Sequence, residues 1–215
     1  MRSETIRSIV AAYDDPVVRA YCRARFLILR QRFLDEIGQY LPDAGPVLDI
    51  GCGFGLFSLY YAATGPRRFV RGLDLSERRV ALARRAAARL GIDNVAYEVG
   101  DARDYKGDSE VAAAYMLDIV HHVPREAVPP LLAQLRASLG PGGLLLVKDV
   151  DTHPAPKRWF TWALDRLMSP RTPVAYWSAE ALTAALETAR FRVRRHLMVD
   201  VLPYPHVLYV CEARP

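Results

Sequence analysis

The sequence has few cysteines and no long apolar run, and each shortage excludes a class of protein. Its three cysteines, Cys22, Cys52 and Cys211, are scattered and odd in number, so they predict neither a disulfide framework nor a zinc pattern. No run of about 18 apolar residues appears, so we expect no membrane-spanning helix. The first residues hold only a short apolar stretch followed by acids, which does not predict a secretory signal. Together these features favour a cytoplasmic protein.

Lysine is also scarce. It occurs only at positions 106, 148 and 157, so arginine carries nearly all of the net charge of +5. A mildly positive charge permits an anionic partner without requiring one. The sequence has neither a basic tail nor a run of Lys and Arg with interleaved aromatics, so a nucleic-acid partner is not favoured. With 51% hydrophobic and 25% charged residues among 215, the composition is that of one globular domain with a full core.

What the sequence does contain is a regular alternation of strands and helices. Strands are predicted at 47–50, 69–75, 94–99, 111–117 and 144–150, and helices at 16–40, 55–64, 77–90, 125–139 and from 178 onward. This alternation predicts a parallel sheet with helices on both faces. The last two strands, 191–201 and 206–213, are separated by only a short loop, so they should pair antiparallel. In such a sheet a ligand binds beyond the carboxyl ends of the strands.

The first strand runs into a turn with a glycine at every second position. In VLDIGCGFG the glycines are Gly51, Gly53 and Gly55, whereas a dinucleotide fingerprint has its third glycine one residue later, where this chain has Leu56. Asp49 lies two residues before the first glycine, and a carboxylate there would repel a pyrophosphate but favour a cationic ligand. The turn therefore predicts a positively charged cofactor without phosphate.

The next two strands also end in acids. Asp74 follows the second strand, and a carboxylate at that position can accept two hydrogen bonds from a ribose diol. Asp101 follows the third strand, in VGDARD, where it can accept a hydrogen bond from an adenine amino group while the N–H of Ala102 meets a ring nitrogen. Three acids at successive strand ends are a more specific signal than the glycines alone.

The stretches VLDIGCGFG, GLDLS, GDARD, YMLDIVHHVP and LGPGGLLLVKDV resemble the successive motifs of class I S-adenosylmethionine-dependent methyltransferases. More narrowly, they resemble the small bacterial type with an apolar-His-His-apolar-Pro run after the fourth strand. The resemblance covers about residues 45–213. It implies a Rossmann-like three-layer α/β/α fold, with a seven-stranded sheet in the order 3-2-1-4-5-7-6 and strand 7 antiparallel. It also implies S-adenosyl-L-methionine as cofactor and S-adenosyl-L-homocysteine as product.

The resemblance assigns a part of the cofactor to each motif. Asp49 and the glycines would face the methionine half, Asp74 the ribose and Asp101 the adenine. The implied cofactor contacts are Asp49, Gly51, Cys52, Gly53, Gly55, Asp74, Leu75, Asp101, Ala102 and Met116. For Cys52 we favour a small buried filler beside the cofactor over a nucleophile. The chain is then one domain, with an N-terminal helical cap at 1–44, a cofactor-binding core at 45–150, an insertion at 151–177 and a closing helix and hairpin at 178–215.

Candidate catalytic residues follow the fourth strand. They are Asp118, His121 and His122, and a histidine suits a hydroxyl or phenol acceptor that must lose a proton. The alternative for His122 is packing or a backbone hydrogen bond where the next helix begins. No acid beside the two histidines completes a metal site, so no metal is predicted.

Other charged residues near the predicted site could either bind a ligand or have a purely structural role. Asp149 and Asp151 flank the end of the fifth strand, where they either bind a polar acceptor or cap the turn; we favour the cap. Arg30 and Arg32 on the N-terminal helix either meet the cofactor carboxylate or lie on a solvated face.

The insertion 151–177 departs from the alternating pattern, and such insertions are often lids that select the acceptor. Within it, an apolar helical stripe in KRWFTWALDRLM either packs over the sheet, lines an apolar pocket as a lid, or contacts a membrane surface through 156–168. The stripe predicts an aromatic or lipid-like acceptor, methylated at a hydroxyl in secondary or lipid metabolism.

Three other functions each account for part of the sequence. An RNA methyltransferase fits the isoelectric point of about 9.2, but the chain lacks an added binding domain and an aromatic-basic strip. An NAD-dependent oxidoreductase on a related fold conflicts with Leu56 and Asp49. A non-catalytic module that binds adenosylmethionine is compatible with the three acids.

Overall fold

The computed structural model describes residues 2–107, 110–152, 175–198 and 206–214. Its strands form a seven-stranded sheet in the order β3-β2-β1-β4-β5-β7-β6. The strands are β1 (Gly45–Ile50), β2 (Arg68–Asp74), β3 (Val95–Val99), β4 (Val111–Leu117), β5 (Leu139–Val150), β6 (Phe191–Leu197) and β7 (His206–Ala213). The first five pair in parallel, while β7 runs antiparallel to both β5 and β6. The predicted strand order and the antiparallel last strand are confirmed.

Helices cover both faces of this sheet. They are α1 (Arg2–Ala11), α2 (Pro16–Ile28), α3 (Gln31–Gly38), α4 (Leu56–Thr64), α5 (Glu77–Leu90), α6 (Val128–Ser138) and α7 (Ala179–Thr188). The first five helices, α1 through α5, pack on one face of the sheet and share one apolar core with it. Helices α6 and α7 pack on the other face and share a second core. The arrangement is a Rossmann-like three-layer α/β/α fold, as predicted.

The single helix predicted over 16–40 is wrong, because the structure has two helices there. The break falls at Leu29 and Arg30, where the backbone leaves the helical conformation. The change of direction brings both Phe26 of α2 and Phe33 of α3 onto Phe57, with ring centroids 6.4 and 6.0 Å away. Aromatic contacts at these distances are favourable beyond simple burial, so the break improves the packing of the N-terminal helices.

The fifth strand is longer than predicted. It begins at Leu139, directly after α6, so the LGPGG stretch belongs to the strand and not to a turn. Leu139 pairs with Val111 and Leu144 with Ala113, and a shift of register between these pairs absorbs the additional residues.

Side-chain caps fix the starts of two helices on the sheet, α5 and α7. Ser76 accepts a hydrogen bond from the N–H of Arg79 at the start of α5, and Gly91 ends that helix in the left-handed conformation. Ser178 caps α7 in the same way through the N–H of Ala181. These helix limits agree with the sequence prediction.

The apolar stripe of 156–168 and the loop 203–205 lie outside the described residues. Within the described segments, no helix has the length and apolar character needed to cross a membrane.

Candidate active site

Two connected clefts open at the carboxyl ends of the parallel strands. The main cleft, of about 330 Å³, lies between the glycine turn, the ends of β1 and β4, the start of β7 and helix α2. The side cleft, of about 730 Å³, continues beyond the ends of β2 and β3. Both volumes are in the usual range for small-ligand pockets. Asp74, Ile119, His121 and His122 line both clefts, so one extended ligand can occupy the two together.

The glycine turn needs its glycines for two different reasons. Gly51 and Gly55 have positive φ values of 78°, and added Cβ atoms would lie 2.1 Å from Ile119 Cδ1 and 2.5 Å from Tyr97 Oη. Gly53 also has a positive φ, of 56°, but a Cβ there would meet nothing within 4 Å. Gly53 lines the main cleft, so it leaves the backbone open where a ligand can approach.

Asp49 lies on the floor of the main cleft and is almost completely buried. Its Oδ2 accepts hydrogen bonds from Ser58 Oγ at 2.5 Å and Tyr115 Oη at 3.0 Å. Burial raises the pKa of Asp49 to about 7, although these two hydrogen bonds oppose the rise. A cationic ligand in the cleft would favour the ionised carboxylate.

Asp74 joins the glycine turn to the second strand. Its Oδ2 accepts a hydrogen bond from the N–H of Gly53 at 2.8 Å, and its Oδ1 accepts one from the N–H of Ser76 at 2.9 Å. Each carboxylate oxygen has two lone pairs, so both oxygens can still accept hydrogen bonds from a ligand. The side chain is thus held in place where the two clefts meet.

Asp101 lies in the side cleft with Leu75 and Ala102. The guanidinium and N–H of Arg103 donate hydrogen bonds to its carboxylate, at distances of 2.5 to 2.9 Å. These contacts lower the pKa of Asp101 below its ordinary value. Leu75 is 68% exposed in this cleft and offers an apolar surface for a planar ring.

Asp118 forms a partly buried ionic cluster. It adopts a left-handed backbone with φ of 58° and bonds both to Arg25 and, at 2.6 Å, to Lys148 Nζ. Burial alone would raise the pKa of Asp118, but Lys148 and Arg25, together with His206, hold it well below the ordinary value. A carboxylate that stays ionised in this way is a poor proton acceptor near neutral pH.

His121 pairs with Asp149 in the buried floor of the site. Its Nδ1 lies 2.5 Å from Asp149 Oδ1, and its backbone N–H donates to Asp149 Oδ2 at 3.1 Å. The parallel register of β4 and β5 pairs Leu117 with Lys148, which brings the residues after both strands together. A carboxylate on one ring nitrogen orients the imidazole and stabilises its protonated form. The ring of His122 packs on that of His121, with centroids 4.2 Å apart.

Several predicted contacts lie elsewhere. Met116 is fully buried in the core on the face of α6 and α7, because alternate strand residues point to opposite faces; its neighbour Leu117 lines the main cleft instead. Arg30 and Arg32 are exposed, and Arg25 of α2, five residues before Arg30, reaches the main cleft.

Two further residues singled out from the sequence, Asp151 and Cys52, have structural contacts near the site. Asp151 accepts a hydrogen bond from the N–H of Ala179 at 3.1 Å, so it bonds to the first residue of α7 and not to the turn that follows β5. Cys52 is buried beside the cleft, and burial raises the pKa of its thiol far above the ordinary value, as suits a filler.

Three side chains of the main cleft and its floor were not predicted from the sequence: Arg25, His206 and Lys148. For Lys148 the sequence does contain a signal of a buried ion pair, since it is a lysine within an apolar strand of a chain that has few lysines. A buried lysine needs a buried acid beside it. In the described segments, no three His, Cys, Asp or Glu side chains come together as metal ligands would.

Residues 47–143 match the family described as methyltransferase domain. The matched stretch runs from β1 into β5, is less than half of the chain and contains the glycine turn, Asp74, Asp101 and the His121–His122 pair.

Curated proteins with sequence similarity to this chain include two methyltransferases of small molecules. Trans-aconitate 2-methyltransferase from Mycobacterium tuberculosis is 31% identical over 135 residues, which cover 63% of this chain and 47% of that protein. The 2-heptyl-1-hydroxyquinolin-4(1H)-one methyltransferase from Mycobacteroides abscessus is 30% identical over 113 residues, which cover 51% of this chain and 49% of that protein. The chain therefore spans about half the length of the curated relatives it matches.

Among solved structures, geranyl diphosphate C-methyltransferase from Streptomyces coelicolor A3(2) has a similar fold, with a TM-score of 0.70. It is 17% identical, and the superposition covers 84% of this chain and 78% of that chain. That structure is a complex with Mg²⁺, geranyl diphosphate and S-adenosyl-L-homocysteine. At this identity the similarity concerns the fold alone.

Proposed function

We propose that this chain is an S-adenosylmethionine-dependent methyltransferase, of class EC 2.1.1, that transfers a methyl group to a small-molecule acceptor. One observation carries the proposal: Asp49, Asp74 and Asp101, at the ends of three adjacent parallel strands, line the two connected clefts around an open glycine turn. The match of 47–143 to a methyltransferase domain supports it.

The residues present fit the cofactor group by group. Asp49 suits the cationic methionine half, and Asp74 suits the hydroxyls of the ribose. Asp101, the N–H of Ala102 and the apolar surface of Leu75 suit the adenine. A dinucleotide fits less well, because Leu56 replaces the third glycine and Asp49 would face a pyrophosphate. When bound, S-adenosylmethionine supplies a methyl group already activated by its sulfonium.

The chain itself has to hold the acceptor and remove its proton. Orientation of two reacting groups can contribute about 7–11 kcal/mol to the lowering of a barrier. We assign proton removal to His121, which Asp149 orients, and not to Asp118, which its two cations keep ionised. Neighbouring His122 lines both clefts and contributes to acceptor binding.

The acceptor is an aromatic or lipid-like hydroxyl compound, and the reaction is O-methylation. Apolar side chains support this choice, since Tyr21, Ile28, Phe54, Phe57 and Leu117 line much of the main cleft. The trans-aconitate and hydroxyquinolone methyltransferases named above are relatives with small-molecule acceptors. A role of 156–168 as lid or membrane contact is part of the same proposal.

Isothermal titration calorimetry tests the function directly. S-adenosylhomocysteine should bind and NAD⁺ should not, and a label from methyl-tritiated S-adenosylmethionine should appear on an aromatic or lipid-like hydroxyl compound. Binding of NAD⁺ in preference to S-adenosylhomocysteine would favour the oxidoreductase. Transfer confined to RNA, with an affinity that falls steeply as salt rises, would favour the RNA methyltransferase.

Cofactor affinity should depend on pH through Asp49. The pKa of this carboxyl is raised to about 7 by burial, and the ionised form is the one that attracts the cationic methionine half. Affinity should therefore be full above about pH 8 and fall about tenfold for each pH unit below 7. Calorimetric titration of S-adenosylmethionine, which carries the sulfonium charge, between about pH 6 and pH 8 measures this dependence.

Asp49→Asn is the matched control for that titration, because the amide is similar in shape and does not ionise. The variant should bind more weakly at about pH 8 and with nearly constant affinity over the same range. A wild-type affinity that does not change with pH, or a variant that keeps the full dependence, would remove Asp49 from the role assigned to it.

A further inference from the structure

The hydroxyl of Tyr13 reaches the glycine turn from a segment distant in the sequence. Tyr13 lies between α1 and α2 and is 1% exposed, and its Oη donates a hydrogen bond of 2.6 Å to the carbonyl of Phe54. Phe54 stands between Gly53 and Gly55 in the turn and lines the main cleft. A specific hydrogen bond therefore attaches the N-terminal helices to the proposed cofactor site.

The Phe54 carbonyl has no partner within helix α4. The helix begins at Leu56 with Gly55 as its N-cap, and the N–H of Leu59 donates to the Gly55 carbonyl. The Phe54 carbonyl precedes that bond, and in the part of the chain that the structure describes no backbone N–H donates to it. Leaving a partly buried carbonyl without a donor is unfavourable. The Tyr13 hydroxyl thus fixes a group that the turn cannot fix by itself.

Contacts on both sides of Tyr13 hold the backbone that carries its phenol. Arg19 donates two hydrogen bonds to the Tyr13 carbonyl, at 3.0 and 2.7 Å. Arg89 of α5 donates to the carbonyl of Ala12 at 2.7 Å and forms a bidentate pair with Asp14, at 2.6 and 2.8 Å. The residues before and after Tyr13 are therefore bonded to α5, which limits where its hydroxyl can lie.

The ring of Phe54 also depends on its surroundings. Its centroid lies 5.3 Å from that of the Tyr21 ring of α2 and 5.7 Å from the guanidinium carbon of Arg79 of α5. Aromatic and cation–π contacts are favourable at these distances. Phe54 lines the main cleft, the place proposed for the methionine half of the cofactor, and among the described residues it is not part of the lining of the side cleft. A shift of Phe54 would therefore disturb the methionine half before the adenine.

We infer that Tyr13 is a positioning residue for the methionine half of the cofactor: through its bond to the Phe54 carbonyl it holds the glycine turn in the conformation that this half contacts. This role deepens the proposed function and rests on it. Tyr13 is not one of the described residues that line the two clefts, so it acts through Phe54. Burial raises the pKa of the Tyr13 phenol above its ordinary value, which keeps the hydroxyl a donor near neutral pH.

Tyr13→Phe removes this hydroxyl and keeps the ring. By calorimetry the variant should bind S-adenosylhomocysteine about tenfold more weakly than the wild type, since it loses one hydrogen bond and leaves a carbonyl without its donor. 5′-Methylthioadenosine has the same nucleoside but lacks the amino-acid part, so its affinity should change by less than about twofold. In the free protein, amide hydrogen exchange of residues 51–57 should be faster in the variant.

Tyr61→Phe is the matched control, because the Tyr61 hydroxyl is also buried and donates to a main-chain carbonyl, that of Leu34, at 3.1 Å. This control should lose a similar amount of stability but keep the wild-type affinity for S-adenosylhomocysteine and the wild-type exchange of 51–57.

Three results for Tyr13→Phe would each overturn the positioning role. They are an unchanged affinity for S-adenosylhomocysteine, an equal loss for S-adenosylhomocysteine and 5′-methylthioadenosine, and an unchanged exchange of 51–57. A wild type that does not bind S-adenosylhomocysteine would overturn the proposed function and the positioning role together. The wild-type titration therefore distinguishes a failure of the proposed function from a failure of the positioning role alone.

Discussion

Replacing His121 by glutamine is expected to lower kcat by about 10²- to 10⁴-fold, the usual contribution of a general base. His121 lines both clefts, and its Nδ1 lies 2.5 Å from Asp149 Oδ1, so the proposed mechanism assigns proton removal to the other ring nitrogen, Nε2. Glutamine keeps a polar side chain of similar length but cannot accept a proton. The rate is measured as label transferred from methyl-tritiated S-adenosylmethionine to the acceptor found by screening.

The expected loss has to be separated from a loss of structure or of cofactor binding. The His121→Gln variant should bind S-adenosylhomocysteine within about twofold of the wild type, because the hydrogen bonds of His121 to Asp149 lie at the ends of β4 and β5, while the three acids assigned to the cofactor lie at the ends of β1, β2 and β3. His196→Gln is the matched control: His196 lies on the edge strand β6 and pairs with Glu36 at the surface, so kcat should not change. A His121→Gln enzyme that keeps its wild-type kcat would show that methyl transfer needs no base at this position.

The fold was predictable because its signals are local. Alternating apolar runs and helical stripes, Ser76 and Gly91 at the two ends of α5, and the short loop before β7 each depend on a few neighbouring residues. The break at Leu29 and Arg30 was not predictable in this way. The break depends on Phe57 of α4, because the change of direction lets both Phe26 and Phe33 contact its ring. The apolar periodicity of 16–40 is compatible with one continuous helix and does not show this contact.

The part of the candidate site that could be predicted consists of the acids at the ends of individual strands. Asp49, Asp74 and Asp101 each lie at or just beyond the carboxyl end of an apolar strand, so their common edge follows from topology. Pairing between strand ends was harder to see, since the bond from Asp149 to His121 spans 28 positions and depends on the register of β4 against β5. Distance along the chain also hides the pairing of Asp118 with Lys148, 30 positions later, and with Arg25, 93 positions earlier. This pairing keeps a candidate base ionised.

Replacing Asp74 by asparagine is expected to weaken the binding of S-adenosylhomocysteine by about 100-fold. Hydrogen bonds to a charged group contribute about 1.5–3 kcal/mol each, and a ribose diol would lose up to two of them. Calorimetry of both proteins measures the change. Asp93→Asn, at an exposed aspartate between α5 and β3, is the control and should leave the affinity unchanged.

Asp74 also accepts hydrogen bonds from the N–H groups of Gly53 and Ser76, so a weaker affinity alone could reflect a distorted glycine turn. The 2′-deoxy analogue of S-adenosylhomocysteine separates the two causes. If Asp74 bonds to the ribose, the wild type prefers the ribo form and Asp74→Asn loses most of that preference, because the hydroxyl and the carboxylate then act as one interaction. If the turn is merely distorted, both ligands weaken equally and the preference survives in the variant. That second result, or equal affinity of the wild type and Asp74→Asn for S-adenosylhomocysteine, would contradict the ribose assignment.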